Sequence, residues 1–294
     1  MENHEFENIS GRNIEVEPYS SRIALMFFRH GQKEADPTKN DNEIELSQTG
    51  KEQALAKPHA ANLDQAIAFG SSRQRSQETA AFAMAGDGDD ITGTESFDEL
   101  KEKINADLAV GSKIGIDDRL NFNLDPQTEF GKASYEAFNK KEYLKFLIEK
   151  SDEAAKAMGD KDSLTYSRGA ASIGQIVEKY MEIAPRWDKL VHAENSSYSD
   201  TLERFLGSHQ GSLEPFLAKV IELTEGKERR DEFVNALGRE GFNFTEGFEA
   251  DIINRDGKPQ LHVSFRKEID PEHVFEFEKD VPDGVLKKII TEIN

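Results

Sequence analysis

Three runs of strand length, each followed by a helical pattern, determine the predicted architecture. The runs cover residues 23–28, 66–70 and 201–208, and the following helices are predicted from Ser47 as N-cap through Leu55, from the Arg-rich segment after residue 70 through Met84, and over residues 213–223. The first run is continuously apolar, which indicates a strand buried on both faces, as in the parallel sheets of α/β proteins. The pattern therefore predicts a three-layer α/β sandwich with a mainly parallel central sheet.

The long segments outside these units predict a helical insertion and a C-terminal β-hairpin. Over residues 95–200, apolar positions recur at helical spacing in segments 98–104, 135–150 and 166–184. We expect this insertion to cover the carboxyl edge of the sheet. Residues 226–230 are charged and predict a linker or a helix edge. The Asp256-Gly257 pair predicts a hairpin between strands at 248–254 and 260–266, with a third strand at 274–277 and a final helix at 285–293.

Composition excludes several classes of function. The chain has 294 residues and a formal charge of -20, from 57 acidic against 37 basic residues, which argues against a nucleic-acid surface or an anionic membrane as a partner. It contains no cysteine, so disulfides, thiolate catalysis and cysteine metal sites are excluded. Residues 1–21 are polar without the apolar core of a signal peptide, and no segment approaches the roughly 20 apolar residues of a membrane span. We expect a cytoplasmic protein.

Reactive side chains follow the first apolar run directly, as Arg29-His30-Gly31. The carboxyl end of a buried parallel strand is where α/β sheets bind ligands. An Arg at that position offers a fork of donors to an oxyanion, a His offers a nucleophilic nitrogen, and a Gly lets the backbone approach a ligand closely. A lone triplet of this kind is weak evidence for a functional site, because a His after a strand is commonly a structural residue.

The other two runs end in the same kind of chemistry. Residues 71–80 read Ser-Ser-Arg-Gln-Arg-Ser-Gln-Glu-Thr-Ala and deliver Arg73 and Arg75 to a helix N-terminus, which favours anions. The alternative is that these arginines pair with acidic residues of their own helix. Residues 207–211 read Gly-Ser-His-Gln-Gly and deliver His209 before a further helix.

These three segments together resemble the histidine phosphatase, or phosphoglycerate mutase-like, superfamily. Residues 46–50, Leu-Ser-Gln-Thr-Gly, are similar to its Leu-Thr-x-x-Gly helix start, with Ser47 for Thr. Residues 71–80 are similar to its Ser-x-x-x-Arg-Ala-x-x-Thr-Ala pattern, with Ser76 in place of Ala. The resemblance covers residues 22–85 and 200–223 and is absent beyond residue 226. It implies a catalytic domain over residues 1–225, with the insertion at about 95–200, and an extension over 226–294.

The resemblance implies roles for individual residues. His30 would accept the phosphoryl group as a phosphohistidine, Arg29 and Arg75 would clamp the phosphoryl oxygens, and His209 would be the second histidine of the pocket. Arg73 is less clearly matched, because the family position is often Leu. The substrate-binding residues are expected to be Gly31, Gln32 and Gln210, and no metal or other cofactor is expected.

The general acid is the departure from the family pattern. The family usually has a Glu or Asp between the second motif and the second histidine, and residues 98–102 resemble that segment faintly, with Glu102 as the acid. Glu214, just after His209, is the competing candidate, since another branch has its acid there. We prefer Glu102 because burial under the insertion would raise its pKa, whereas Glu214 at a helix N-terminus would stay ionised.

The predicted function is hydrolysis of a phosphomonoester through a phosphohistidine. A mutase that returns the phosphoryl group to a second hydroxyl uses the same site, and a catalytically weak phosphate-binding or scaffolding module is the alternative from another class. We expect a small phosphorylated substrate and neither a nucleic-acid nor a membrane partner. The sequence identifies neither the substrate nor the oligomeric state.

Overall fold

A computed structural model of the chain describes residues 6–7, 13–14, 20–86, 90–106, 108, 110–255 and 257–292. Most of the polar N-terminal segment, residues 1–21, lies outside these residues, and so does Asp256 of the predicted turn. At the start of the chain, strands β1 (Phe6–Glu7) and β2 (Asn13–Ile14) pair antiparallel.

One seven-stranded sheet forms the centre of the molecule, in the order β5-β4-β6-β3-β7-β8-β9. Its strands are β3 (Ser21–Arg29), β4 (Ile67–Gly70), β5 (Ile114–Ile116), β6 (Thr201–Ser208), β7 (Gly247–Arg255), β8 (Lys258–Asp270) and β9 (His273–Val281). Strands β5, β4, β6 and β3 pair parallel, and β7, β8 and β9 continue the sheet antiparallel. The carboxyl ends of β3, β4 and β6 therefore meet at one edge.

Helices cover both faces of this sheet. They are α1 (Gln48–Leu55), α2 (Gln74–Ala85), α3 (Phe97–Asn105), α4 (Glu129–Asn139), α5 (Tyr143–Glu149), α6 (Ser151–Met158), α7 (Tyr166–Val191), α8 (Glu214–Glu225), α9 (Lys227–Leu237) and α10 (Asp283–Thr291). Within the part of the chain that is described, no helix is long and apolar enough to cross a membrane.

The first apolar run is buried on both sides because its side chains alternate between two cores. Ile23, Leu25 and Phe27 pack with α7 and α8 on one face. Met26 and Phe28 pack with α2 and α3 on the other. Successive side chains of a strand point to opposite faces, so a strand inside a three-layer sandwich must be apolar throughout. The predicted fold class is confirmed.

The predicted elements match the structure closely near the motifs and less well elsewhere. The third run coincides with β6, and the Ser47 hydroxyl caps α1 by accepting the Gly50 N–H. Residues 226–230 were predicted to be a linker or a helix edge, and they form a helix edge, because α9 begins at Lys227. The extension also joins the central sheet, since β7 pairs with β3 from Ser21 to Phe28. Residues after 226 thus share the sheet and core of the motif-bearing residues.

Candidate active site

Two histidines face each other where β3 and β6 end. Arg29 lies opposite Ser208 in the parallel register, and the His30 N–H donates to the Ser208 carbonyl at 2.9 Å. His30 and His209 follow these two residues, so their ring centroids are 5.3 Å apart. Strand β4 ends beside β6, which brings Ser71 next to His209. The parallel pairing therefore gathers three distant motifs.

The backbone carbonyl of the next residue, Gly31, determines the tautomer of His30. Its Nδ1 lies 2.7 Å from the Gly31 carbonyl oxygen, which can only accept, so Nδ1 carries the proton and Nε2 carries the lone pair. Burial, reinforced by the charges of Arg75, Arg29 and Lys33, lowers the pKa of His30 to about 3. At neutral pH this side chain, which is 9% exposed, is an uncharged imidazole with an available nitrogen.

Two serine hydroxyl groups form a hydrogen-bonded chain that ends at the His209 ring. Its Nε2 lies 2.7 Å from the Ser71 hydroxyl, which lies 2.8 Å from the Ser76 hydroxyl, and Ser76 donates to the Arg73 carbonyl at 2.7 Å. Because the carbonyl takes the Ser76 proton, Ser71 must donate to Ser76 and accept from His209. Neutral His209 is therefore protonated on Nε2. Burial, followed by the charges of His30 and the nearby arginines, lowers its pKa well below the ordinary value.

A cavity of about 440 Å³ opens in front of both histidines and is lined by three arginines. Arg75, in the first turn of α2, is 5% exposed. Arg29 is held by residues that precede β7: it donates to the Phe242 carbonyl, and its guanidinium lies 4.6 Å from the Phe244 ring centroid. Arg73 contributes from the N-cap of α2. The cavity concentrates positive charge in a chain whose net charge is strongly negative.

Asp41 is the one acidic side chain among the described residues that line this cavity. It belongs to a short 3₁₀ helix, Asp41–Glu43, in the loop between β3 and α1. Its Oδ2 accepts from Arg75 Nη2 at 3.0 Å and lies 2.8 Å from Arg73 Nε, and its Oδ1 lies 3.3 Å from Lys33 Nζ. Burial opposes ionisation, but the Arg75 hydrogen bond and the charges of Arg75, Arg73 and Lys33 outweigh it and lower the pKa of Asp41 to about 2.

The insertion supplies an aromatic wall to the same cavity, formed by Phe122, Tyr135 and Phe138. Phe138 stacks on buried Tyr143 with ring centroids 3.7 Å apart, which fixes the wall to α5. Tyr135 is exposed and lies 6.2 Å from Phe138. The expectation that the insertion covers this edge of the sheet agrees with this arrangement.

The expected substrate-binding residues separate into two groups. Gln210 lines the cavity. Gly31 is instead buried against α1, where an added Cβ would lie 2.6 Å from the Gly50 carbonyl oxygen, and its N–H donates to Thr79 Oγ1. Gln32 lies beyond the cavity lining, with its backbone N–H donating to Gln53. These two positions join the loop after His30 to α1, because the chain turns away from the cavity immediately after the histidine.

Neither carboxylate considered as the general acid lines the cavity. Glu102 was expected to be buried under the insertion, but it is exposed. Helix α3 buries Phe97, Leu100 and Ile104, so Glu102 lies on the opposite face. Glu214 is fully buried, accepting from the Gly211 N–H at 2.8 Å and the Phe242 N–H at 3.0 Å. Burial raises its pKa, contrary to the expectation of an ordinary ionised residue. Its two backbone bonds make it a brace between two loops.

Sequence reasoning missed Asp41, Lys33 and the aromatic wall. The signal for Asp41 was present, because the loop that leaves the carboxyl end of the first strand is rich in Asp, Asn and Lys. The signal for the wall was hidden, since aromatic residues at helical spacing in α4 are equally consistent with core positions.

Comparison with protein families gives a match that includes the first two motifs and ends before the third. Residues 25–105 match the model of the histidine phosphatase superfamily (branch 1). A search of curated proteins finds no match.

Solved structures of similar shape include a protein described as mycobacterial hydrolase 1 (17% identity, covering 80% of this chain and 94% of that one, TM-score 0.42). They also include a mycobacterial glucosyl-3-phosphoglycerate phosphatase (15% identity, 89% and 98%, TM-score 0.42) and a phosphoserine phosphatase of Entamoeba histolytica (17% identity, 81% and 94%, TM-score 0.39). With TM-scores below 0.5, these likenesses carry no argument about function.

Proposed function

We propose that this chain, whose residues 25–105 match the histidine phosphatase superfamily, hydrolyses small phosphomonoesters through a phosphohistidine on His30. The observation that carries the proposal is the state of His30. It is a buried neutral imidazole with its lone pair on Nε2, and it lines the same cavity as Arg29, Arg75 and His209.

In the first proposed step, the Nε2 lone pair of His30 attacks phosphorus and the bond to the leaving oxygen breaks. The Nδ1–H bond to the Gly31 carbonyl keeps the ring oriented while positive charge develops on it. The transferring group spreads its negative charge over the equatorial oxygens, so fixed positive donors supply most of the catalysis. Arg29, at the end of β3, and Arg73 and Arg75, at the start of α2, provide such donors to the cavity.

We expect His209 to become protonated when the phosphoryl group binds. Its Nε2 proton is committed to Ser71, so a second proton would reside on Nδ1. A phosphoryl dianion in the cavity favours this protonated form, since an opposite charge within a few ångströms stabilises an imidazolium. The imidazolium then donates to a phosphoryl oxygen. In the second step, water attacks the phosphohistidine and the electron pair of the P–N bond returns to His30.

The magnitudes suit this mechanism. A charge-assisted hydrogen bond contributes about 1.5–3 kcal/mol net, so loss of one bidentate arginine should slow the reaction by a few orders of magnitude. The same guanidinium groups neutralise the phosphoryl charge that Mg²⁺ handles in other enzymes, and we therefore expect turnover to persist in a metal chelator.

The experiment measures hydrolysis of p-nitrophenyl phosphate by the purified chain and by His30→Ala. We expect the variant to lose turnover, and expect the wild type, quenched in alkali during turnover, to carry acid-labile phosphate that the variant lacks. The matched control is His273→Ala, an exposed histidine on β9, which should retain full turnover. Undiminished turnover in His30→Ala would reject the proposal.

A further inference from the structure

The Asp41 carboxylate binds the arginines that are proposed to bind the phosphoryl group of the substrate. Its carboxylate contacts Arg75 Nη2 at 3.0 Å and Arg73 Nε at 2.8 Å, and its backbone carbonyl accepts from Arg75 Nη1 at 2.6 Å. Both terminal nitrogens of Arg75 are thus engaged with one residue. A substrate phosphoryl group that binds Arg75 must compete with this carboxylate.

From this geometry we propose that Asp41 is the proton donor to the leaving oxygen, freed for that role when the substrate's phosphoryl group replaces it on Arg75. The inference rests on the proposed function and adds the catalytic residue that it lacks. A departing alkoxide needs a proton, and Asp41 is the one carboxyl group among the described cavity-lining residues. Glu214 is committed to two backbone N–H groups, and Glu102 faces solvent on α3.

The exchange of partners explains how an ionised residue can become an acid. In the free protein, the groups that face Asp41 are Arg75 and Arg73 of the α2 N-terminus and Lys33 of its own loop, and together they keep it ionised. Substrate binding transfers Arg75 to the phosphoryl oxygens and brings a dianion beside the carboxylate. Losing a positive partner and gaining a negative neighbour both raise a carboxyl pKa. Asp41 then takes up a proton from bulk solvent.

The two chemical steps balance around this proton. As the His30 Nε2 lone pair forms the N–P bond, the P–O bond breaks, its electron pair goes to the leaving oxygen, and the Asp41 proton follows it to give the free alcohol. Asp41, now a carboxylate, accepts a proton from the water that attacks phosphorus. The P–N electron pair returns to His30 and inorganic phosphate leaves. Asp41 then returns to Arg75 and releases its proton to solvent, so the free protein is regenerated.

The location of Asp41 permits this change of partner. The residue lies in a 3₁₀ helix within the long loop after β3, and its side chain is 49% exposed, so it needs no core rearrangement to leave Arg75. The loop is anchored beyond Asp41, where the Leu46 N–H donates to buried Glu78. Movement can therefore be confined to the segment between Gln32 and Leu46.

The test compares Asp41→Asn with wild type on an alkyl phosphate and on p-nitrophenyl phosphate, whose leaving group needs no proton. We expect kcat/KM to fall by about 10²–10⁴-fold for the alkyl ester, the range of general acid catalysis, and by less than about tenfold for the aryl ester. Retained aryl turnover also shows that the variant folds. Glu43→Gln, an exposed carboxylate in the same 3₁₀ helix, is the matched control and should leave both rates unchanged.

A second readout separates proton donation from simple positioning of the arginines. Removing the competing carboxylate should make inorganic phosphate a stronger inhibitor of Asp41→Asn than of wild type. If both substrates lose rate equally, or neither does, Asp41 is not the acid although the proposed function stands. If wild type hydrolyses neither ester, the proposed function fails and this inference fails with it.

Discussion

The hydroxyl chain behind His209 yields a prediction that distinguishes two serines lying side by side. Ser71 accepts the proton of His209 Nε2, and Ser76 accepts the proton of Ser71. In Ser71→Ala the buried N–H of His209 loses its acceptor. In Ser76→Ala that acceptor remains, and the bonds that Ser71 loses are those that its hydroxyl and backbone N–H donate to Ser76, neither of which involves His209. We therefore expect the first substitution to be more damaging than the second.

The size of the difference follows from the burial of the ring. An unpaired buried donor costs about 1–3 kcal/mol. Since about 1.4 kcal/mol corresponds to a factor of ten, we expect Ser71→Ala to lower kcat by about 5- to 150-fold. Ser76→Ala should cost less than about fivefold. It also restores the alanine that the superfamily pattern has at this position.

The assay combines turnover of p-nitrophenyl phosphate with the ¹⁵N chemical shifts of His209, which report the protonated nitrogen. We expect the Nε2–H tautomer in the wild type and a mixture of tautomers in Ser71→Ala. Denaturant unfolding of each variant separates a loss of kcat from a loss of folded protein. The role of Ser71 as the acceptor for His209 is contradicted if Ser71→Ala keeps the wild-type tautomer and kcat, or if Ser76→Ala is the more damaging variant.

Two further predictions concern burial of charge. The ring of His30 should titrate at about pH 3 by NMR, because burial and the adjacent arginines disfavour its charged form. As pH falls from 6.5 towards 3, the unfolded chain takes up a proton at His30 and the folded chain does not, so the free energy of unfolding should decrease, and a titration near 6.5 would contradict the assignment. At the other end of β3, buried Arg22 bonds Asp251 at 2.7 and 2.9 Å and Glu249 at 2.8 Å. Arg22→Met should lower the free energy of unfolding in urea by about 3–5 kcal/mol and leave turnover per folded molecule unchanged, whereas loss of turnover with normal stability would contradict this separation.

The sequence alone determined the elements that carry the motifs, because the signals for them are local. A continuous apolar run predicts a strand between two layers, and the strand's end locates Arg29 and His30. The same reasoning located β6 and His209, and the Ser47 cap of α1 is likewise a short-range hydrogen bond. The convergence of these motifs followed from the rule that parallel strands align their carboxyl ends.

Which carboxylate lies near the histidines depends on tertiary contacts that the sequence does not show. Glu102 and Glu214 were judged by sequence proximity to motifs, but burial depends on which face of a helix meets another element. Helix α3 turns Glu102 outwards, and the segment before β7 closes over Glu214. Asp41 reaches the cavity because a long loop folds back to Arg75, 34 residues further along the chain. Such a contact has no local pattern, since its two partners are distant in the sequence and adjacent only in the folded chain.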